Sequence, residues 1–220
     1  MKKLLAKATA LYEKDRYQGA MTIAKKVLAI DKDNNVALFY VAHGLYKAGQ
    51  FRRSLQYWKR LKKLCPREGS LHLNMGACYD ELRKTSSAIK NWKRELEINP
   101  VSGKALYNLG NLYYRTHKNK LAAAYLERCY SQKHSVEDIV CKLAWCYFKT
   151  GQLEKEQILY EEYLQTHPND TWALNNLGSH LMGQGEYHRA LLRLTKAVRL
   201  DPKDQMVLRN IRKARAMLGK

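Results

Sequence analysis

Asparagine side chains recur in this sequence at a constant spacing of 34 residues. The positions that share this spacing are Asn74, Asn108, Lys142, Asn176 and Asn210. Each asparagine amide offers two hydrogen-bond donors and an acceptor, and these groups can bind the backbone of an extended peptide whatever its side chains are. If these amides lie on one surface, they have the groups needed to hold an extended peptide at several places.

Residue patterns that indicate catalysis or metal binding are absent from the sequence. There is no glycine-rich phosphate loop, no HExxH motif and no nucleophile elbow, and the seven histidines are scattered without metal spacing. Acidic pairs such as Glu161 with Glu162 are typical of a solvated helix surface. The sequence therefore predicts a protein that is not an enzyme, has no small-molecule substrate and requires no cofactor or metal.

The asparagines lie in segments that resemble one another, which indicates an internal repeat. The segment GKALYNLGNLY begins at Gly103, a similar segment TWALNNLGSHL begins at Thr171, and a looser one begins at Gly69. Counted from Met1, this frame divides the chain into six contiguous repeats and a short remainder. The repeats are 1–34, 35–68, 69–102, 103–136, 137–170 and 171–204, and the remainder is 205–220.

Residues of one type return at fixed places in the repeat. A first small place holds Ala8, Ala42, Gly76, Gly110, Ala144 and Gly178. A second small place, which lets two helices approach closely, holds Ala20, Ser54, Ala88, Ala122, Glu156 and Ala190. The four prolines share one place near the end of the repeat and are Pro66, Pro100, Pro168 and Pro202. Leu106, Leu109 and Tyr113 have the spacing of one apolar helix face.

Taken together, the period, the small residues, the aromatic residues and the prolines resemble the tetratricopeptide repeat, a hairpin of two antiparallel helices. The resemblance covers the whole chain. It implies an all-α fold, a right-handed superhelical solenoid of about thirteen helices, with two helices per repeat and a solvating cap helix over 205–220. Because the period is unbroken, we expect residues 1–204 to form one continuous solenoid domain.

In proteins of this family the first helices of the repeats line a concave groove, and the second helices form the convex back. On that assignment the asparagine positions lie in the groove, and Asn111 and Asn175 share the same surface. The groove should also expose a set of aromatic residues, namely Phe39, Tyr46, Tyr107, Tyr114, Trp145, Phe148 and Trp172. Arg115, beside Tyr114, is placed to pair with an acidic side chain of a ligand.

The resemblance thus implies a non-catalytic scaffold or adaptor that binds an extended segment of a partner protein. The alternatives are packing between repeats for each aromatic residue and a generic family role for the asparagines.

The net charge of +20 is unevenly spread along the chain. On the convex side a basic patch is formed by Arg52, Arg53, Lys59, Arg60, Lys63, Lys90, Lys93 and Arg94. This patch has three interpretations: a solvated face, a docking surface for an anionic membrane or acidic protein, and a contact for nucleic acid phosphates. No base-reading motif accompanies the patch, so nucleic acid is the weaker option.

The distribution of charge also allows contacts between copies of the chain. The second repeat carries a net charge of +7 and the fifth a net charge of −4, so head-to-tail self-assembly into a homo-oligomer is an additional hypothesis.

Cysteine usage and hydropathy favour a cytoplasmic protein, with peripheral attachment to a membrane or organelle as an option. The five cysteines lack CxxC spacing, and Cys78 and Cys146 share one place in their repeats, which predicts packing rather than pairing. Lys7 interrupts the apolar run at the start, so we expect neither a signal peptide nor a membrane-spanning segment.

Two departures from the repeat pattern carry their own expectations. The turns DELRKTSS and RTHKNK of the third and fourth repeats lack the usual glycine, so we expect a less tight turn there. Glu156 occupies a small place, and it should loosen its helix pair or direct its carboxylate towards solvent or a cation.

Overall fold

In a computed structural model, the described residues 1–66, 70–132 and 138–219 form thirteen α-helices and no β-strand. The helices are α1 (Lys2–Glu13), α2 (Tyr17–Ile30), α3 (Asn35–Lys47), α4 (Phe51–Leu64), α5 (Leu71–Glu81), α6 (Thr85–Ile98), α7 (Gly103–Arg115), α8 (Asn119–Ser131), α9 (Ile139–Thr150), α10 (Leu153–Thr166), α11 (Thr171–Gly183), α12 (Tyr187–Leu200) and α13 (Gln205–Leu218). The predicted all-α fold is confirmed. The repeat boundaries at 68/69 and 136/137 lie outside the described residues.

The helices belong to two compact units, Met1–Leu109 and Gly110–Lys220. In the first unit the helices pack in chain order from α1 with α2 to α5 with α6, and in the second unit from α8 with α9 to α12 with α13. Each unit is therefore a stack of antiparallel helix hairpins. The single domain over 1–204 stays a prediction.

The small places of the repeat are the points where two helices of a hairpin touch. A Cβ atom on Gly76 would lie 2.3 Å from Nε1 of Trp92, and one on Gly110 would lie 2.6 Å from Cγ of Leu126. Ser54, at the second small place, is fully buried and donates its hydroxyl hydrogen to the carbonyl oxygen of Ala42 at 2.7 Å. Small residues recur at these places because a large side chain of the facing helix fills the space above them.

All six hairpins turn through one residue with a left-handed backbone conformation. These residues are Asp15, Gly49, Arg83, His117, Gly151 and Gly185, with φ between 56° and 80°. In each turn the next N–H group donates to the carbonyl oxygen five residues earlier, at 2.8 to 2.9 Å. The turns without glycine are therefore closed by the same hydrogen bond as the others. The expectation of a less tight turn in the third and fourth repeats was wrong.

Replacing His117 with glycine should stabilise the protein. A non-glycine residue in the left-handed conformation destabilises the folded state by roughly 1–2 kcal/mol, and glycine removes this cost. Glycine also increases the entropy of the unfolded chain, which offsets about 0.5–1 kcal/mol of that gain. His117→Gly should therefore raise the unfolding free energy, measured in urea, by roughly 0.5–1 kcal/mol. The control is Lys118→Gly, because Lys118 has a φ of −86° and gains nothing from glycine. Equal effects of the two substitutions would contradict this account.

The last helix, α13, covers one side of the final repeat. It begins after Asp204, whose carboxylate accepts hydrogen bonds from the backbone N–H groups of Met206 at 2.8 Å and Val207 at 3.2 Å. Val207, Ile211 and Ala214 form its buried face, packed towards α11 and α12. The opposite face is basic and exposed, and the role of α13 as a solvating cap stays a prediction.

Candidate protein-binding site

The second unit contains a cavity of about 600 Å³ that gathers five of the predicted groove residues. Its lining includes Tyr114 from α7, Trp145 and Phe148 from α9, and Trp172 and Asn176 from α11. First helices of three successive repeats therefore contribute side chains to one cavity. This is the surface on which the family resemblance placed a ligand.

Three of the aromatic side chains that line this cavity are exposed. Trp145 is 44% exposed, Phe148 54% and Trp172 39%. The rings of Trp145 and Phe148 lie 6.0 Å apart in a tilted arrangement, and Trp172 packs edge-on against Tyr160 with ring centroids 5.8 Å apart. Each ring thus has a neighbour that fixes its position and an exposed surface that a ligand can cover.

A lysine of the same unit already interacts with this aromatic wall. The ammonium group of Lys149 lies 4.5 Å from the ring centroid of Trp145 and 5.8 Å from that of Phe148. Both distances are within the range of a cation–π interaction. The sequence placed Lys149 next to Phe148, and the structure adds Trp145 as its closer contact.

Glu156 and His180 form a buried pair in the lining of the cavity. Their side chains are only 9% and 3% exposed, and Nδ1 of His180 lies 3.2 Å from Oε2 of Glu156. The approach is close enough for an ion pair, and Oε2 itself is enclosed by the surrounding atoms. Burial raises the pKa of Glu156, and the facing His180 opposes that rise. Nε2 of His180 contacts Nε2 of Gln184 at 3.0 Å. The carboxylate therefore faces a residue that can be cationic, which was one of the outcomes expected for Glu156.

Two of the predicted asparagines use one amide hydrogen within their own helix. Nδ2 of Asn74 donates to the carbonyl oxygen of Ser70 at 2.7 Å, and Nδ2 of Asn176 donates to that of Trp172 at 2.9 Å. Asn108 and Asn111 are half-buried. Peptide binding by these amides stays a prediction.

Three other predicted residues are engaged in contacts outside the cavity. Asn175 is only 5% exposed, and its Oδ1 accepts a hydrogen bond from Nδ2 of Asn210 at 2.9 Å, so the pair joins α11 to α13. Lys142 forms an ion pair with Asp138, and its side chain is 14% exposed. The expectation that Asn175 shares one accessible surface with Asn111 therefore does not match its buried position.

The remaining aromatic residues of the predicted set lie apart from this cavity. In the first unit Tyr107 and Tyr46 are half-buried, and Phe39 packs edge-on against Trp58 with ring centroids 5.4 Å apart. Phe39 therefore packs between helices, which was the alternative given for each aromatic residue of the set. Arg115 is exposed at the end of α7.

The basic patch lies entirely in the first unit, and its eight side chains are exposed. Arg60 donates to the carbonyl oxygen of Lys32 at 2.6 Å and lies 3.4 Å from Asp33, while Arg94 pairs with Glu97 at 2.5 Å. These exposed pairs are worth little energetically and compete weakly with an external anion. The patch is thus accessible, as both the solvated and the docking interpretations require.

The sequence did not reveal that Glu156 and His180 meet. Each one departs from its own repeat place, because the places equivalent to His180 hold Ala10, Gly44, Cys78, Leu112 and Cys146. Two polar departures in neighbouring repeats were the available signal. Tyr160 and Gln184, which also line the cavity, gave no such signal.

Groups that could perform other chemistry are few. Among the described residues, no cluster of histidine, cysteine and acidic side chains could hold a metal ion. Cys78 and Cys146 are buried and unpaired, which confirms the packing role expected of them, and burial raises the pKa of each thiol to about 11. Within the same residues, none of the helices has the length and apolar character needed to cross a membrane.

Three family models described as tetratricopeptide repeat match residues 73–134, 142–170 and 173–206. Together they cover more than half of the chain. The chain belongs to the tetratricopeptide repeat family. The recognition made from the sequence is thereby confirmed.

The fold of this tetratricopeptide repeat protein is similar to the folds of several solved structures. The C-terminal part of a repeat protein from Cytophaga hutchinsonii aligns with a TM-score of 0.78 and 13% identity, over 96% of this chain and 84% of that chain. YrrB, described as having an unusual peptide-binding site, aligns with a TM-score of 0.69 and 19% identity, over 84% of this chain and 96% of that chain. MamA aligns with a TM-score of 0.64 and 21% identity, over 77% of this chain and 92% of that chain. At these sequence identities the alignments show a shared fold and nothing about function.

One curated relative matches by sequence. It is the cell division cycle protein 27 homolog A of Arabidopsis thaliana, which is 29% identical over 80 residues. The match covers 36% of this chain and 11% of the relative. The chain therefore spans only about a tenth of that protein's length.

Proposed function

We propose that this tetratricopeptide repeat protein is a non-catalytic scaffold that binds an extended segment of a partner protein at the aromatic cavity of its second unit. The observation that carries the proposal is the convergence of Tyr114, Trp145, Phe148 and Trp172 on one cavity of about 600 Å³. Exposed aromatic side chains grouped around a concavity are typical of the residues that supply most of the energy in protein interfaces. YrrB, a protein of the same fold, is described as binding a peptide.

The basic patch supports a second candidate function in the first unit. Eight exposed cations on α4 and α6 can attract an anionic membrane surface, an acidic protein or, as the weaker option, nucleic acid. The opposite charges of the second and fifth repeats likewise support self-assembly. These interactions should weaken as salt is added, because exposed charges are screened.

The two candidates are separated by a pull-down from lysate at physiological salt. Trp145→Ala combined with Phe148→Ala should lower the recovery of a defined protein by at least about 30-fold, since loss of a single hot-spot residue costs roughly 2 kcal/mol or more. Arg52→Glu, Arg53→Glu, Lys59→Glu and Lys63→Glu together form the matched variant of the convex patch, which should retain that protein. If only the patch variant loses its cargo, the groove proposal fails and the charged surface is the functional one.

A further inference from the structure

The cavity of the second unit carries a buried negative group among aromatic rings. Glu156 extends from α10, its side chain is only 9% exposed, and its Oε2 lies 3.2 Å from Nδ1 of His180. Burying a carboxylate is unfavourable unless the group is paired, and a charged hydrogen-bond donor in the cavity lowers that cost further. A cationic group of a ligand can therefore add to the pairing that His180 provides.

The aromatic walls favour a positively charged ligand as well. Ring faces attract cations, and the chain already shows this where Lys149 lies over Trp145 at 4.5 Å. Lys149 is not among the lining residues, so it does not occupy the cavity. The surfaces of Phe148 and Trp172 that line the cavity are therefore accessible to a ligand. An ammonium or guanidinium group in the cavity would meet these rings and the carboxylate of Glu156 together.

Other ligand classes fit the cavity less well. An anionic side chain would lie against Glu156, and like charges in a buried site repel strongly. An uncharged apolar side chain would bury the carboxylate further and offer it no hydrogen bond. The repeat that contains Glu156 also carries a net charge of −4 in a chain whose net charge is +20. A cation is therefore the class that gains both from the aromatic rings and from the acidic group of the lining.

We propose that this cavity binds the side chain of a basic residue, arginine or lysine, in the partner's extended segment. The inference rests on the proposed function and specifies the chemistry of the partner. The charged head group contacts Glu156, and the aliphatic stem lies between the rings of Phe148 and Trp172. His180, held by Gln184, positions the carboxylate. Arginine should bind more tightly than lysine, because guanidinium is more weakly hydrated and stacks on aromatic faces.

The four tryptophans provide a test with an internal reference. Trp145 and Trp172 line the cavity, whereas Trp58 and Trp92 are buried in the first unit at 0% and 2% exposure. The indole N–H signals of the full chain would be followed by NMR while short capped peptides are added. The peptides have the sequence Ser-Ala-X-Ala-Ser, where X is arginine, citrulline, lysine or norleucine. Citrulline has the shape of arginine without its charge, and norleucine plays the same role for lysine.

The arginine peptide should shift the signals of Trp145 and Trp172 and leave those of Trp58 and Trp92 in place. The citrulline peptide should bind at least about 10-fold more weakly, because a hydrogen bond between charged groups contributes roughly 1.5–3 kcal/mol. Glu156→Gln should abolish this difference while preserving the shape of the side chain. The control is Glu162→Gln, an exposed carboxylate on the same helix that does not line the cavity, which should retain it.

Three results would overturn the inference: equal binding of arginine and citrulline peptides, a charge preference that survives in Glu156→Gln, or no shift at Trp145 and Trp172 with any peptide. Equal binding at these two tryptophans would remove the charge preference but leave the proposed function standing. The proposed function itself fails only in the pull-down. If Glu156→Gln lost its reference signals through unfolding, the comparison of arginine with citrulline on the unaltered chain would still decide.

Discussion

Trp92→Ala should lower the free energy of unfolding by about 3–5 kcal/mol, the range for removing a large buried aromatic side chain. Trp92 is 2% exposed, lies against Gly76 in the α5–α6 hairpin, and donates its indole hydrogen to the carbonyl oxygen of Leu73 at 3.1 Å. Its loss would leave a cavity and a carbonyl group without its donor. Because Gly76 has no side chain to fill the space, little collapse of the hairpin can compensate.

The matched control for this prediction is another tryptophan of the same chain. Trp145 is 44% exposed, so Trp145→Ala should change the unfolding free energy by less than about 1 kcal/mol. Urea unfolding followed by circular dichroism measures both variants. A cost for Trp92→Ala no larger than that for Trp145→Ala would show that the hairpin does not depend on this contact.

Removing the buried pair as a whole should stabilise the protein. Glu156→Ala with His180→Leu introduces residue types found at the same places in other repeats, such as Ala122 and Leu112. Replacing a buried charged pair with apolar residues is neutral or stabilising by about 1–4 kcal/mol, whereas removing one partner costs about 3–5 kcal/mol. We therefore expect His180→Leu to be less stable than the unaltered chain, and the double variant to be at least as stable. A double variant that is no more stable than His180→Leu would contradict this.

The pH dependence isolates the carboxyl group. Burial raises the folded-state pKa of Glu156 above its unfolded value, so this group favours folding where it is protonated and loses that contribution as pH rises through the folded pKa. His180→Leu and the double variant differ only at Glu156. The gap between their unfolding free energies should be small at acidic pH and widen towards neutral pH. A gap that stays constant with pH would show that the carboxylate carries no such cost.

We expect the Glu156–His180 pair to lower stability at neutral pH. A role of this pair in binding a ligand would explain why the cavity contains it. The double variant should gain stability and lose the preference of the cavity for basic side chains. Such opposition between stability and binding is common at functional sites. The stability of the double variant and the peptide titration are separate measurements, so either can fail without the other.

The glycine-free turns show where sequence reasoning had too little information. The absence of glycine at Arg83 and His117 predicted looser turns, yet both residues adopt the left-handed conformation with φ near that of the glycine turns. The chain accepts this cost because the helices of these two hairpins pack closely, at Gly76 against Trp92 and at Gly110 against Leu126. Tertiary packing therefore overrides the local preference of a single residue.

Asn175 illustrates a second limit, the direction in which a side chain leaves its helix. Neighbouring residues on a helix differ in direction by about 100°. Asn176 therefore lines the cavity, while Asn175 is buried against α13 and bonded to Asn210. The sequence placed Asn175 on the accessible surface because it contained no information on which helix would cover it.

The sequence by itself determined the family, the thirteen helices of the described residues and the helices that carry Trp145, Phe148 and Trp172. It could do so because each hairpin is built from local contacts that recur in every repeat, so a periodic pattern is enough to define them. Only the tertiary structure decided that Glu156 faces His180 in the lining of one cavity. That contact joins two neighbouring repeats at places where both depart from the pattern. Its geometry depends on how the hairpins stack, which no single repeat encodes.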